Sequence, residues 1–134
     1  MTPLHLAAEL GDVNKVRQLM EHGKYNVNCT NSNNETPLHR ACVRGHLGVV
    51  KMLISEFTAD VNIKDSYNNT PLYVAVLNGK EDVTLALIKD FDCDVNARGS
   101  LGRSLLHKAC YGGNVSLVET LIREHNADIN DKDI

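Results

Sequence analysis

The chain has 134 residues, a formal net charge of −3, and 43% hydrophobic and 23% charged residues, which is the composition of one ordinary globular domain or repeat array. Charges of both signs are spread along the chain without a basic block, which argues against a nucleic-acid-binding protein. There is no apolar run of roughly 20 residues and no signal-peptide pattern, so we expect no direct membrane insertion and a cytoplasmic location, with the nucleus left open.

The sequence repeats itself at a shift of 34 residues, and the register holds through four units. The units span approximately residues 1–30, 31–64, 65–98 and 99–132. Residues aligned at this shift are called a column below. Five columns are identical in all four units: Leu4/Leu38/Leu72/Leu106, Ala7/Ala41/Ala75/Ala109, Gly11/Gly45/Gly79/Gly113, Leu19/Leu53/Leu87/Leu121 and Asn28/Asn62/Asn96/Asn130. The chain is therefore predicted to be a solenoid in which each unit contacts mainly its neighbours.

Each unit is predicted to begin with a short helix, called helix A below. Thr2-Pro3 and its equivalents are helix starts, because the threonine oxygen caps an unpaired backbone N–H and proline lacks the donor that the first helical position leaves unused. Gly11 and its equivalents end the helix about two turns later, where a left-handed residue lets the chain reverse.

A second helix, helix B, is predicted to follow each glycine. Apolar residues recur there at i, i+3 and i+4, as in Val16, Leu19 and Met20, which marks one buried stripe of an amphipathic helix. Turn-rich connections then lead to the next unit. In them Asn34 and Asn68 occupy the position of Gly102, which predicts left-handed backbone there, and the Val-Asn pairs are interpreted as braces of the turn.

The motif T-P-L-H-x-A at Thr2 to Ala7 and Thr36 to Ala41 resembles the signature of the ankyrin repeat, and the resemblance extends over the whole chain. It implies an all-α solenoid of about four helix-turn-helix units joined by β-hairpin-like loops. It also implies a concave protein-binding face made of the hairpins and A helices. Unit four departs from the motif with Ser104-Leu105, and unit three has Tyr73 where the family has histidine.

The histidines and cysteines are predicted to be structural. The resemblance implies that the rings of His5, His39 and His107 bond to the Thr or Ser hydroxyl at each helix start. The four cysteines form no C-x-x-C pair, so we expect thiols rather than disulfides, with Cys42 as a small core residue. Metal-ligand spacings, phosphate loops and nucleophile motifs are not found, so we expect neither cofactor nor metal nor enzymatic activity.

The predicted binding surface takes the columns that face the concave side in the family. Five large apolar residues fall in these columns, at positions expected to meet water, and four cations flank them as a polar rim. The apolar residues are Val43, Tyr67, Leu77, Leu101 and Tyr111, and the cations are Arg40, Arg44, Arg103 and Lys108, with Val74 in the column of Arg40 and Lys108. Core-edge packing is an equally good interpretation of Val43 and Leu77.

The favoured hypothesis is a non-enzymatic module that binds a protein or peptide, as an adaptor, an inhibitor or an anchoring scaffold. One alternative is a regulatory or targeting segment of a larger enzyme or channel. Another is a structural unit that self-associates through uncapped ends, because both ends lack a polar capping unit. On the same ground we expect an excerpt of a longer array, monomeric apart from weak end-to-end association.

Overall fold

A computed structural model describes residues 2–23, 25–91 and 93 of the chain. Six helices occur in this part: α1 (Pro3–Leu10), α2 (Val13–Glu21), α3 (Pro37–Arg44), α4 (Leu47–Ser55), α5 (Pro71–Leu77) and α6 (Glu81–Lys89). The odd-numbered helices are the A helices and the even-numbered helices are the B helices of three consecutive units. The described residues contain helices and turns but no strand, which confirms the all-α prediction. The predicted fourth unit lies outside the described residues.

Threonine begins each of the three described A helices, as predicted for these units. Thr2, Thr36 and Thr70 are the N-caps, and each side-chain oxygen accepts a hydrogen bond of 3.3 Å from the backbone N–H three residues later. Proline follows at the first helical position in all three units. The T-P pair therefore fixes where each of these A helices starts.

Glycine ends the first two A helices in the left-handed conformation. Gly11 and Gly45 both have φ of 74°, and their N–H groups bond to carbonyls of the last helical turn. A Cβ added at Gly11 would lie 2.6 Å from the ring of His46, so the next unit packs directly over this turn. Unit three differs slightly, because α5 ends one residue earlier, at Leu77. Its C-cap is Asn78, whose side chain donates to the Val74 carbonyl at 2.8 Å.

The core is a row of aliphatic side chains that runs through all three units. Leu4, Leu38, Leu72, Leu53 and Leu87 are at most 1% exposed. Between them the A helices carry small buried residues, namely Ala7, Ala8, Ala41, Cys42 and Ala75. The A helices contact one another more extensively than the B helices do. The A helices are therefore packed more closely than the B helices, which favours a curve with the A helices on its inner side.

Each connection folds around a short polar side chain and a left-handed asparagine. The Oδ1 atom of Asp65 accepts hydrogen bonds from the N–H groups of Tyr67 and Asn69 at 2.9 and 3.0 Å. Asn34 and Asn68 have φ of 58° and 67°, which confirms the prediction made from their alignment with glycine.

Hydrogen bonds also join one connection to the next. Ser66 N–H donates to the Asn33 carbonyl at 2.9 Å, so adjacent tips are tied together. At the start of the connection, Asn28 Oδ1 accepts from the Asp60 N–H at 2.8 Å, so this asparagine, predicted to brace its own turn, bonds to the next unit instead. The tips therefore form one continuous edge of the array.

A buried histidine bridges unit one to unit two, and another bridges unit two to unit three. The ring of His39 accepts from the Thr36 N–H at its Nδ1 atom, at 3.0 Å, and its Nε2 atom lies 2.9 Å from the Asn69 carbonyl of the following unit. A carbonyl only accepts, so Nε2 carries the proton and the ring is neutral. His5 makes the equivalent bridge to the Glu35 carbonyl at 2.8 Å. The Thr hydroxyls lie 2.8 and 2.9 Å from the two Nδ1 atoms, which confirms the bond implied for His5 and His39.

Burial lowers the pKa of His39 below the usual histidine value, although the Asn69 carbonyl and nearby carboxylates oppose the shift. The unfolded chain therefore binds more protons than the folded chain below about pH 6.5, and stability falls as the pH drops through this range. We predict that His39→Gln lowers the free energy of unfolding by about 2 kcal/mol at pH 7.5. The loss should shrink toward pH 5. Urea unfolding across this pH range measures both effects.

His22 supplies the matched control for this prediction, because it caps the C-terminal end of α2 with an exposed side chain. His22→Gln should leave both the stability at pH 7.5 and its pH dependence close to those of the parent. Equal pH dependence of the parent and His39→Gln would show that His39 does not link pH to unfolding.

Candidate functional site

The described part of the chain contains five of the nine predicted binding residues. Tyr67 is 66% exposed at the tip of the connection before α5, and Leu77 is 40% exposed at the end of that helix. Val43 occupies the same position as Leu77 one unit earlier and is partly buried against the core. The remaining predicted residues, Leu101, Arg103, Lys108 and Tyr111, lie outside the described residues.

Arg40 does not form the solvated rim that the sequence analysis expects. Its side chain is 19% exposed and pairs with Glu9 of unit one and, at 3.1 Å, with Glu35 at the start of its own helix. Burial opposes the charge, but the bonds to both carboxylates outweigh it and raise the pKa of Arg40 above its usual value. Arg40 is thus an inter-unit clamp. Val74, its equivalent in unit three, is only 6% exposed and is also no surface residue.

Arg44, one helical turn further along α3, is an accessible cation. Its side chain is 62% exposed, and its Nε atom lies 3.8 Å from the same Glu9 carboxylate, beyond hydrogen-bonding distance. Among the described residues it forms no other ion pair. The structure therefore separates the two predicted arginines into a clamp and an exposed charge.

Two exposed leucines of unit one were missed in the sequence analysis. Leu10 is 68% exposed and occupies the column of Arg44 and Asn78, which is exposed in all three described units. Applying the 34-residue shift backward from Arg44 would have found it. Leu6 is 49% exposed, but its column is covered in the next two units, at Arg40 and Val74, so it is not part of the shared surface.

We define the inner strip as Leu10, Val43, Arg44, Tyr67 and Leu77. It follows the C-terminal ends of the three A helices and the neighbouring connection tip. Packed helices lie about 8–10 Å apart, so equivalent positions in successive units are adjacent along the array. The strip therefore offers apolar side chains and one accessible guanidinium along several units, without an enclosing pocket.

The B-helix side differs in character. Arg17 of α2 pairs with Glu56 at 2.6 Å across to the end of α4, and both side chains are more than two-fifths exposed. A shallow cavity of about 280 Å³ lies between α4 and α6 and is lined by two lysines, two aspartates and the apolar residues Leu47, Leu85 and Ala86. Its charges are balanced, and it has no histidine, cysteine or hydroxyl group to act as a nucleophile or imidazole base.

The histidines, cysteines and carboxylates within the described ranges form no metal-binding cluster. No group of three or more His, Cys, Asp or Glu residues is placed there to hold a metal ion. Cys29, Cys42 and Cys93 are not joined in disulfides, and burial strongly raises the pKa of Cys42, which keeps it an unreactive thiol. Cys110 and His107 lie outside these ranges. None of the helices described is both long and apolar enough to cross a membrane.

Comparison with protein families identifies the fold. The family model for ankyrin repeats, described as three copies, matches residues 1–65 and again residues 57–133. These matches cover nearly the whole chain, and the chain therefore belongs to the ankyrin-repeat family. Ankyrin repeats are generally protein–protein interaction modules and are typically non-catalytic. A comparison with curated proteins gives no match.

The clamp formed by Arg40 leads to a stability prediction. Arg40→Met removes the charge but keeps most of the side-chain volume, and it leaves Glu9 and Glu35 partly buried without their cation. We predict that it lowers the free energy of unfolding by about 2 kcal/mol, measured by urea unfolding of the full chain at pH 7.

Arg17→Met is the matched control, because it breaks an ion pair whose two partners are both well exposed. It should change the stability much less. If both variants lose the same stability, or if neither does, Arg40 does not hold units one and two together.

Proposed function

We propose that the chain is a non-enzymatic module that binds another protein or a peptide segment along the inner strip. The family relationship supports the general class of function, because ankyrin repeats generally bind proteins. We choose the inner strip because of where this chain exposes its large apolar side chains. A protein-binding module of this kind can act as an adaptor, an inhibitor or an anchoring scaffold.

The observation that carries the proposal is the position of the exposed large hydrophobic residues. In the part of the chain that the structure describes, these are Leu6, Leu10, Tyr67 and Leu77, and all four lie on A helices or on a connection tip. The B helices α2, α4 and α6, which the structure describes, expose none. Exposed apolar residues grouped on one side of a soluble domain are typical of an interaction surface.

The physical character of the inner strip also suits protein recognition. Tyr67 combines a large apolar ring with a polar hydroxyl, and aromatic anchors of this kind often supply much of an interface's binding energy. The tip that carries Tyr67 is held by Asp65 and by the backbone bond from Ser66 to Asn33, so little ordering is needed when a partner binds. An open strip across several units accommodates a protein segment better than a small molecule, which requires a concave pocket.

Two variants of the full chain test the proposal on any partner recovered with the parent as bait. Tyr67→Ala and Leu77→Ala should each weaken binding by on the order of 2 kcal/mol, because each removes an exposed apolar anchor. Neither should shift the melting temperature much, since neither side chain is buried in the core. Calorimetric titration and thermal melting give the two quantities.

Lys51→Ala is the control, because Lys51 is exposed on α4, on the B-helix side. It should bind the partner like the parent. The proposed surface would be wrong if Tyr67→Ala and Leu77→Ala bound normally while Lys51→Ala lost affinity, and the B-helix side would then be the surface to map.

A further inference from the structure

Around the inner strip, the carboxylates of Glu9 and Glu35 are paired within the array, whereas the guanidinium of Arg44 remains accessible to a ligand. Glu9 is 15% exposed and pairs with Arg40, and Glu35 is 14% exposed and pairs with Arg40 as well. The second oxygen of Glu35 accepts a hydrogen bond from the Asn31 side chain at 3.0 Å. The Oδ1 atom of Asp65 is held by two backbone N–H groups of its own turn. A ligand therefore meets few available carboxylate oxygens here.

The guanidinium of Arg44 is the accessible counterpart. It is 62% exposed, and its one ionic contact among the described residues is the 3.8 Å approach of Nε to Glu9. Its two terminal nitrogens donate to none of the described residues. A guanidinium with both terminal nitrogens available can bind a carboxylate through two parallel hydrogen bonds.

Apolar residues occupy the positions next to this charge along the array. Leu10 occupies the same position as Arg44 one unit earlier, Val43 precedes it on α3, and Leu77 follows one unit later. An arginine among apolar neighbours forms a stronger ion pair than one in open solvent, because a bound ligand excludes water from both partners. The net charge of −3 matters less at this point, since exposed charges are screened beyond about 8–10 Å at physiological salt.

We propose that the partner presents a carboxylate side chain, Asp or Glu, flanked by large apolar side chains, and that Arg44 binds this carboxylate while the flanking residues contact Leu10 and Leu77. The inference rests on the proposed function and adds the chemistry of the partner to it. Arg44 determines the specificity of the strip. Arg40 pairs with Glu9 and Glu35 within the array and does not contact the partner.

The test uses random peptides of about 12 residues displayed on phage. A segment of this length can cross two units, which is enough to show whether the strip prefers acidic residues flanked by apolar ones. Three full-length baits are compared: the parent, Arg44→Gln, and Lys51→Gln as the matched loss of one exposed positive charge on the B-helix side. Far-UV circular dichroism verifies that all three are equally helical. The readout is the frequency of acidic and of large apolar residues in selected peptides relative to the unselected library.

We expect peptides selected by the parent and by Lys51→Gln to be enriched in both acidic and large apolar residues. Peptides selected by Arg44→Gln should keep the apolar enrichment and lose the acidic one. For a single selected peptide, replacing its acidic residue by the corresponding amide should weaken binding to the parent by about tenfold in fluorescence anisotropy. The same replacement should have little effect on binding to Arg44→Gln.

Two results overturn the inference, and they differ from the failure of the proposed function. If selected peptides show no acidic preference, or if the preference survives in Arg44→Gln, the partner chemistry is wrong while the binding function stands. If none of the three baits enriches any peptide sequence, neither the proposed function nor the inference built on it holds.

Discussion

The architecture depends on one repeated interaction, the hydrogen bond from a buried histidine of one unit to a backbone carbonyl of the next. His39 receives the Thr36 N–H on one ring nitrogen and donates with the other to Asn69, so the same ring fixes a helix start and the position of the following connection. His5 repeats this arrangement toward Glu35. A single unit cannot bury its apolar face alone, and the ring therefore couples local helix capping to the stacking that makes the core. Burial favours the neutral ring that this geometry requires, which ties the stacking to pH.

The inner strip follows from that stacking. Small residues on the A helices let them pack more closely than the B helices do, and the inner strip lies along the ends of these A helices and the neighbouring connection tip. On this side the array uses Arg40 and its two glutamates to hold units together, and leaves Tyr67 and Arg44 exposed. Structural and exposed residues thus alternate along a single helix. The proposed protein-binding function uses only the second group, which explains why we expect its anchors to be removable without unfolding the chain.

Much of the fold can be predicted from the sequence because the signals are local and repeated. The T-P pairs predict the helix starts, and Gly11 and its equivalents predict the turns that follow. Asn34 and Asn68 align with a glycine in the sequence, which predicts their left-handed backbone. The surface is harder to predict. Whether Arg40 or Val74 meets water depends on the neighbouring unit, since the carboxylate that covers Arg40 comes from Glu9, in a different repeat. Periodicity places a side chain in a column but does not show which of its neighbours it pairs with.

Hydrogen–deuterium exchange of the full chain, with and without a bound peptide or protein, shows whether the inner strip is the binding surface. We expect exchange to slow around Val43 and Arg44, at the tip that carries Tyr67, and around Leu77, while the backbone amides of α4 and α6 exchange at unchanged rates. Slowed exchange confined to α4 and α6, with no change at the tip or at the ends of the A helices, would contradict this expectation.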